Sequence, residues 1–296
     1  MSKCSMTILV LAILTFAPRG ATIQTQPPST DVFVADLRRE AGRLHFGTPI
    51  NITNRAGYDN QPYFLSDGDS LLFASIREGS LPDIYRYKIS DKSTVQVTRT
   101  PEGEYSPTPM PGETSFSVVR VEADQTQRLW KFPFDGGKPS LVLENIKPVG
   151  YHAWLDDNTL ALFVLGTPAT LQLADVRTGK AETIETKIGR SLHKHPLRAS
   201  LTFVHKLSDA EWVIKELDMK TRKSTVVVKT LAGSEDFVWT PNGFLLAGQG
   251  AKLFEFDPAK DRDWKEVADF SASGLKSITR LAVSPRGDKI ALVSTL

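Results

Sequence analysis

Only one cysteine and no catalytic signature occur in this sequence. Cys4 lies ahead of an apolar run near the N-terminus, so the chain beyond it has no thiol for a disulfide or for a cysteine-ligated zinc site. The Gly-x-Ser-x-Gly pentapeptide of hydrolase nucleophile elbows is absent from the sequence, and so are the zinc-protease and phosphate-loop motifs. No enzyme class is therefore indicated by a motif.

Charge of one sign is not in excess either. The formal net charge is +2, from 36 basic and 34 acidic side chains that are interspersed along the chain. Nucleic-acid-binding domains concentrate basic residues in one run or on one face, so we expect no nucleic-acid partner. A hydrophobic fraction of 41% with 24% charged residues is typical of a soluble protein with a buried core.

The chain has one long apolar run, Met6 to Phe16, and a basic residue, Lys3, precedes it. The run has about the length of a signal-peptide core and is too short to span a bilayer. We interpret residues 1–21 as an export signal, residues 22–30 as a flexible leader and residues 31–296 as a single domain. The mature chain is then expected to lack a transmembrane segment and to be periplasmic or secreted.

A repeat of roughly 44 residues runs through the rest of the chain. Its clearest copy has the strand candidates 58–65 and 70–75 on either side of an Asp67-Gly68 turn, followed by a second hairpin over 83–98. Two consecutive hairpins form a four-stranded antiparallel unit. Equivalent turn positions recur 40 to 46 residues apart, at Gly68, Gly112, Asn158, Arg198, Gly243 and Gly287.

The two ends of the sequence distinguish a ring from a solenoid. The last repeat contains only a first hairpin, at 281–293, and the N-terminal segments 31–37 and 44–53 read as the second hairpin that it lacks. Joining them closes the array without exposed sheet edges. The sequence therefore predicts an all-β fold: a six-bladed β-propeller of four-stranded antiparallel blades, with the last blade closed by N- and C-terminal strands.

Two segments of the repeat resemble those of a known family. Residues 60–74, Asn-Gln-Pro-Tyr-Phe-Leu-Ser-Asp-Gly-Asp-Ser-Leu-Leu-Phe-Ala, are similar to the TolB-type (TolB-like, WD-like) propeller repeat, and so are residues 285–292. The resemblance covers the chain from about Asp31 onward and implies a fold more than a function. Since TolB carries an additional N-terminal domain, we expect a stand-alone propeller whose link to the Tol system is open.

The segment that leads into the first strand of each blade reaches the rim of the central channel, so polar side chains from different blades meet there. The candidates for binding at the channel mouth are Tyr58, Asp59, Asn60, Glu104, Tyr105, Tyr151, His152, His193, Glu235 and Asp236. Glu104, His152 and His193 are also candidate ligands of a divalent cation. The alternative is that these side chains cap strands, bond to loop backbone and hold channel water.

These patterns favour a non-catalytic scaffold that binds a protein or peptide partner in the cell envelope. We expect a monomer that needs no cofactor. A basic cluster in the fourth repeat is interpreted as a solvated loop; it consists of Arg190, Lys194, His195 and Arg198. Two alternatives stay open: a metal-assisted lyase or hydrolase that uses the channel-mouth residues, and an accessory or sensor domain of a larger complex.

Overall fold

A computed structural model describes residues 27–295. The predicted signal, residues 1–21, and the first part of the predicted leader lie outside this range. The described chain is almost entirely β-structure, with one 3-10 turn at Ser271–Ser273. None of its helical segments is long and apolar enough to cross a membrane.

The first three strands belong to the blade that closes the ring, and five complete blades follow. The closing blade begins with β1 (Asp31–Glu40), β2 (Arg43–Phe46) and β3 (Ile50–Asn51). Blade 1 consists of β4 (Asp59–Phe64), β5 (Ser70–Ser75), β6 (Asp83–Lys88) and β7 (Ser93–Gln96). Blade 2 consists of β8 (Gly103–Pro109), β9 (Ser115–Val121), β10 (Gln127–Pro133) and β11 (Ser140–Leu141).

Three further blades repeat this order, and the last two strands complete the closing blade, which we call blade 6. Blade 3 consists of β12 (Val149–Trp154), β13 (Thr159–Val164), β14 (Thr170–Asp175) and β15 (Lys180–Thr186). Blade 4 consists of β16 (Ile188–Lys194), β17 (Ser200–Lys206), β18 (Trp212–Asp218) and β19 (Ser224–Lys229). Blade 5 consists of β20 (Phe237–Trp239), β21 (Leu245–Gln249), β22 (Lys252–Phe256) and β23 (Lys265–Asp269), and blade 6 ends with β24 (Ser277–Val283) and β25 (Lys289–Thr295).

The two ends of the chain close the ring, as the sequence predicts. Strand β1 pairs antiparallel with β25, from Asp31 opposite Ser294 to Asp36 opposite Lys289. The segment 44–53, expected as one strand, is interrupted at residues 47–49, so that β2 pairs with the second half of β1 and β3 with its first half. Pro49 in this interruption has no N–H to donate to a ladder.

The end of the predicted leader is already attached to blade 1. The backbone N–H of Thr30 donates to the carbonyl of Gly57, and the Thr30 hydroxyl donates to the carbonyl of Asp59. The Ser29 hydroxyl also donates to Gly57. These bonds place the N-terminal end of the ring beside the first strand of blade 1.

The core is formed between neighbouring blades, because each sheet has another sheet on both faces. All six residues of β5 are buried, and this two-sided burial explains why the strand is a continuous apolar run rather than an alternating pattern. Phe116 in β9 and Phe203 in β17 are also fully buried. Each such side chain contributes roughly 1.5–3 kcal/mol through removal from water.

The inner turns explain the recurring Asp-Gly signal. In the β4–β5 turn, a carboxylate oxygen of Asp67 accepts the backbone N–H groups of Asp69 and Ser70, both at 2.8 Å. Gly68 has a φ of +63°, which side chains disfavour. Arg286, in the corresponding turn of blade 6, donates to the carbonyl of Asp67 at 2.7 Å and so ties the closing blade to blade 1.

Candidate functional site

The innermost strands of all six blades surround a central cavity of about 540 Å³. Each of these strands pairs with only one other strand in the described part of the chain, so its second edge has no strand partner. The cavity opens at the face that carries the inner turns, where Pro196, Pro241 and Pro285 line it. We call this opening the turn-side mouth.

The strand registers align one innermost-strand position across all six blades, and this position forms a ring in the upper half of the cavity. The upper ring consists of Tyr63, Thr108, Ala153, His193, Val238 and Ala282. No member of this ring carries a formal charge at neutral pH, because burial lowers the pKa of His193 to about 4. Tyr63 is 46% exposed and faces the turn-side mouth.

The position two residues earlier forms a second ring, deeper in the cavity, which we call the floor ring. The floor ring consists of Gln61, Ser106, Tyr151, Ser191, Asp236 and Arg280. Arg280 donates to the hydroxyl of Tyr151 at 3.0 Å. Blades 6 and 3 lie opposite each other in a ring of six, so this hydrogen bond crosses the channel and bounds the central cavity on the side away from the turn-side mouth.

An ion-pair network holds one side of the floor. Asp236 accepts from Arg280 at 3.0 Å and from Arg190, whose guanidinium also lies 3.3 Å from a carboxylate oxygen of Glu235. Lys206 lies 3.1 Å from the second oxygen of Glu235. Three cations thus share two carboxylates, and all five side chains are at least partly shielded from water, which strengthens their interaction.

The other side of the floor has donors and no carboxylate. The oxygen of the Gln61 side-chain amide accepts the backbone N–H of Ser106 at 2.8 Å, which turns the amide nitrogen away from Ser106. The hydroxyl of Ser106 is buried and has no hydrogen-bond partner among the described residues. Tyr151 accepts from Arg280, so its own proton is free to donate.

Tyr58 and Tyr105, two of the predicted residues, lie on the far side of this floor. Burial is the main cause of the raised pKa of Tyr58, and Tyr151 adds to it, while the positive charges of Arg280 and Arg190 act in the opposite direction. Tyr105 lines a second cavity of about 600 Å³, which shares Gln61 and Tyr151 with the first. The floor ring therefore separates two cavities along the channel.

Four of the ten predicted residues line the central cavity, and they are Tyr151, His152, His193 and Asp236. Three others are directed into the protein by buried partners. Asp59 bonds to Ser75 and Arg55, Asn60 to Thr30, and Glu104 to Thr98 and Thr100. These bonds join side chains to one another and leave the three residues outside the lining of the central cavity.

The three candidate metal ligands lie in different surroundings. The Nε2 atom of His152 is 2.6 Å from the hydroxyl of Ser117 in the preceding blade, and burial lowers the pKa of this histidine to about 3. The ring of His193 packs against that of Phe237, with centroids 4.8 Å apart and the ring planes tilted by 58°. Glu104 lies between blades 1 and 2. Within residues 27–295 no three His, Cys, Asp or Glu side chains come together in a group that could hold a metal ion.

Sequence reasoning missed the two arginines of the floor. The sequence pattern places Arg190 in a basic cluster that it predicts to be solvated, and this prediction fits Arg198, an exposed residue that pairs with Glu216. Arg190 instead reaches Asp236 in the next blade. The spacing within the repeat could have indicated Arg280. This residue precedes the turn residue Gly287 by seven positions, as Tyr151 precedes Asn158, so the two occupy the same position in their repeats.

Comparison with known proteins gives the fold. No family model matches the chain, and no curated protein matches it. A TolB-type protein from Agrobacterium tumefaciens superposes with a TM-score of 0.71 over 90% of this chain and 99% of its own, at 13% identity. The chain has the fold of a TolB-like propeller.

Two further solved structures share this architecture. TolB from Acinetobacter baumannii superposes with a TM-score of 0.57 over 89% of this chain and 64% of its own, at 14% identity. An oligogalacturonate lyase from Vibrio parahaemolyticus superposes with a TM-score of 0.51 over 90% of this chain and 98% of its own, at 13% identity. The same architecture thus occurs in TolB proteins and in a lyase, so the fold does not specify a function and the site must be argued from its own residues.

Proposed function

We propose that this protein is an exported, non-catalytic scaffold that binds a segment of a partner protein in its central cavity. The observation that carries the proposal is a cavity of about 540 Å³ that is open at the turn side and closed by the bond between Arg280 and Tyr151. This volume lies within the range of ligand-binding pockets. A blind cavity of this size accommodates a short stretch of chain rather than a folded domain.

The walls of the cavity are suited to a peptide in two ways. The unpaired edges of the six innermost strands offer backbone donors and acceptors, which an extended peptide can use as it does in strand addition. The upper ring adds apolar contact, with Val238 and Ala282 in the wall and the ring of Tyr63 at the mouth. Tyrosine gives a large contact area at a small entropic cost.

The proposed location is the periplasm or the cell exterior, with the protein acting as a monomer. The signal-like N-terminus and the absence of cysteine from the sequence beyond Cys4 support it, because thiol-free chains suit oxidising compartments. The likeness to TolB structures is in keeping with a role in the envelope, but the partner is to be found by experiment.

A binding role is better supported than the metal-assisted lyase or hydrolase. Such an enzyme needs several ligands that converge on one cation. His152 is bonded to Ser117, Glu104 is bonded between blades, and His193 alone among the three belongs to the upper ring. The arrangement of these side chains therefore supports the scaffold.

The experiment is selection of peptides from a random library on the exported, processed protein, followed by titration against two variants. Tyr63→Ala removes the half-exposed aromatic ring at the turn-side mouth, and Val226→Ala removes an exposed side chain from the outer strand β19. We expect selected peptides to bind Tyr63→Ala at least tenfold more weakly than the wild type, as for an aromatic contact at a binding site. Val226→Ala should bind like the wild type. Peptides that are equally sensitive to both variants would place binding outside the cavity.

A further inference from the structure

The floor of the cavity carries more positive charge and more free donors than its own residues use. In the ion-pair network of the floor, the three cations Arg190, Lys206 and Arg280 face the two carboxylates of Glu235 and Asp236, so one positive charge is in excess. Asp236 lies on the side of the floor held by the ion-pair network. The opposite side presents the Gln61 amide nitrogen and the hydroxyls of Ser106 and Tyr151.

Hydrogen-bond donors that lack a partner favour the binding of an anionic acceptor when they lie in a positively charged site shielded from water. Ser106 is the clearest case, because a buried hydroxyl without a partner costs free energy until a ligand supplies an acceptor. Arg280 adds a guanidinium, whose planar array of N–H groups matches a carboxylate. Gln61, Ser106 and Arg280 come from the adjacent blades 1, 2 and 6, so one group bound on that side is within reach of all three.

The shape of the cavity restricts which part of a peptide reaches this place. Because the bond between Arg280 and Tyr151 blocks the channel, a chain that enters at the turn-side mouth cannot continue through the floor. The group that arrives there is therefore the end of a chain. The excess positive charge of the ion-pair network disfavours the positively charged amino end and favours the carboxylate end.

We propose that Gln61, Ser106, Tyr151 and Arg280 form a subsite for the C-terminal carboxylate of the bound segment. The inference rests on the proposed function and specifies the direction in which the segment inserts. Arg280 neutralises the carboxylate on the side away from Asp236, while Ser106, Gln61 and Tyr151 donate to its oxygens. Binding gives the Ser106 hydroxyl the partner that it lacks in the free protein.

The test uses small probes and needs no knowledge of the partner. N-acetylated trialanine is titrated into the exported, processed protein as the free acid and as the C-terminal amide, with ligand-observed NMR as the readout. We expect saturable binding of the acid and at least tenfold weaker binding of the amide, because the amide lacks the charge. The α-amide of N-acetylated alanylalanylaspartic acid, whose only carboxylate is on the side chain, distinguishes a chain end from an acidic side chain.

Two variants test whether the acid probe binds at the proposed subsite. Ser106→Ala removes a hydroxyl that makes no bond to any described residue of the free protein, so the melting temperature should not fall while the acid binds severalfold more weakly. Arg280→Gln should remove the preference for acid over amide. Val226→Ala, on the outer strand, should change neither.

Other results separate this inference from the proposed function. Equal binding of acid and amide overturns the carboxylate subsite and leaves peptide binding intact, and so does preferential binding of the aspartate side-chain carboxylate. Saturable binding of galacturonic acid in preference to the trialanine acid overturns the peptide terminus in favour of a sugar acid. Failure of every carboxylate probe to bind overturns the subsite, whereas failure of the peptide selection overturns the scaffold itself.

Discussion

Arg280 in blade 6 and Tyr151 in blade 3 are joined across the channel by a hydrogen bond of 3.0 Å. The two residues are 129 positions apart in sequence and come together only when the ring is closed. The same guanidinium is held by Asp236 and by the carbonyl of Thr279. One arginine thus joins side chains of three blades and spans the channel at the level of the floor ring.

Tyr151→Phe should destabilise the closed ring modestly. The substitution removes the acceptor of Arg280 and keeps the aromatic ring, so we expect the free energy of unfolding to fall by about 1 kcal/mol. Chemical denaturation followed by tryptophan fluorescence measures the change. Tyr105→Phe is the matched control, since its hydroxyl makes no side-chain hydrogen bond among residues 27–295 and its pKa is raised by burial alone. A loss as large in the control would assign the effect to removal of a shielded hydroxyl in general and not to the bond with Arg280.

Glu104 should make stability fall as the pH rises toward neutrality. Burial raises the pKa of this carboxyl to about 7, the charge of Asp83 adds to the rise, and Thr100 and Arg120 oppose it. The folded protein therefore holds a proton that the unfolded chain releases near pH 4.5. The stabilisation is complete below pH 4.5 and is lost as the pH rises through 7.

The Glu104→Gln variant has no carboxyl group to titrate at this position, so we expect it to lose this dependence of stability on pH. Between pH 4.5 and 8 we expect the wild type to lose on the order of 2 kcal/mol relative to the variant, measured by urea unfolding at each pH. Glu78→Gln removes an exposed carboxylate from the same face and is the control. Parallel pH profiles for the wild type and Glu104→Gln would show that Glu104 does not titrate in this range.

His152 should have the opposite effect at lower pH, where it should make the free energy of unfolding fall as the pH decreases. Burial lowers its pKa to about 3 from 6.5, so the unfolded chain takes up a proton that the folded protein excludes. The associated stability is present above pH 6.5 and decreases as the pH falls toward 3, by about 2 kcal/mol at pH 5. His152→Gln retains a polar group near Ser117 and should flatten this part of the profile. The exposed His45→Gln variant should follow the wild type.

Gly248→Ala tests the contact between blades 5 and 6. A Cβ atom at this position would lie 2.6 Å from Cγ2 and 2.7 Å from Cβ of Ile278, and both atoms are close to the backbone of β24. Overpacking of this kind costs about 1–3 kcal/mol. Gly137→Ala is the milder case, because a Cβ atom there would lie no closer than 3.2 Å to an Asp135 carboxylate oxygen and to Cγ of Pro133, so it should cost clearly less stability than Gly248→Ala. Thermal unfolding of the two variants compares them directly, and equal melting temperatures would contradict this packing.

The fold could be predicted from the sequence because its turns carry local signals. Asp67-Gly68 and its counterparts need positive φ and a capping carboxylate, so they recur wherever an inner hairpin turns. The closing pair was predictable for the same reason, since β1 and β25 each complete a hairpin that the other end lacks. Local chemistry alone fixes these features.

The site was predictable only in part, because a residue of an innermost strand belongs to the site only if its side chain points into the channel. Glu104 and Tyr105 are neighbours, yet one is buried between blades and the other faces a cavity. A β-bulge follows Tyr105 and alters the alternation that a sequence pattern assumes. Counting seven residues back from each turn would have found Arg280, whereas its bond to Tyr151 requires the closed ring.

The most direct test of the binding site is photocrosslinking with a benzophenone amino acid at position 63, compared with the same amino acid at position 226. Both positions are exposed, at 46% and 58%, but only position 63 lies at the turn-side mouth. We expect the label at position 63 to crosslink a library-selected peptide and the label at position 226 to leave it free. Crosslinking from position 226 alone would show that the peptide binds at the outer strands and would contradict a binding site in the cavity.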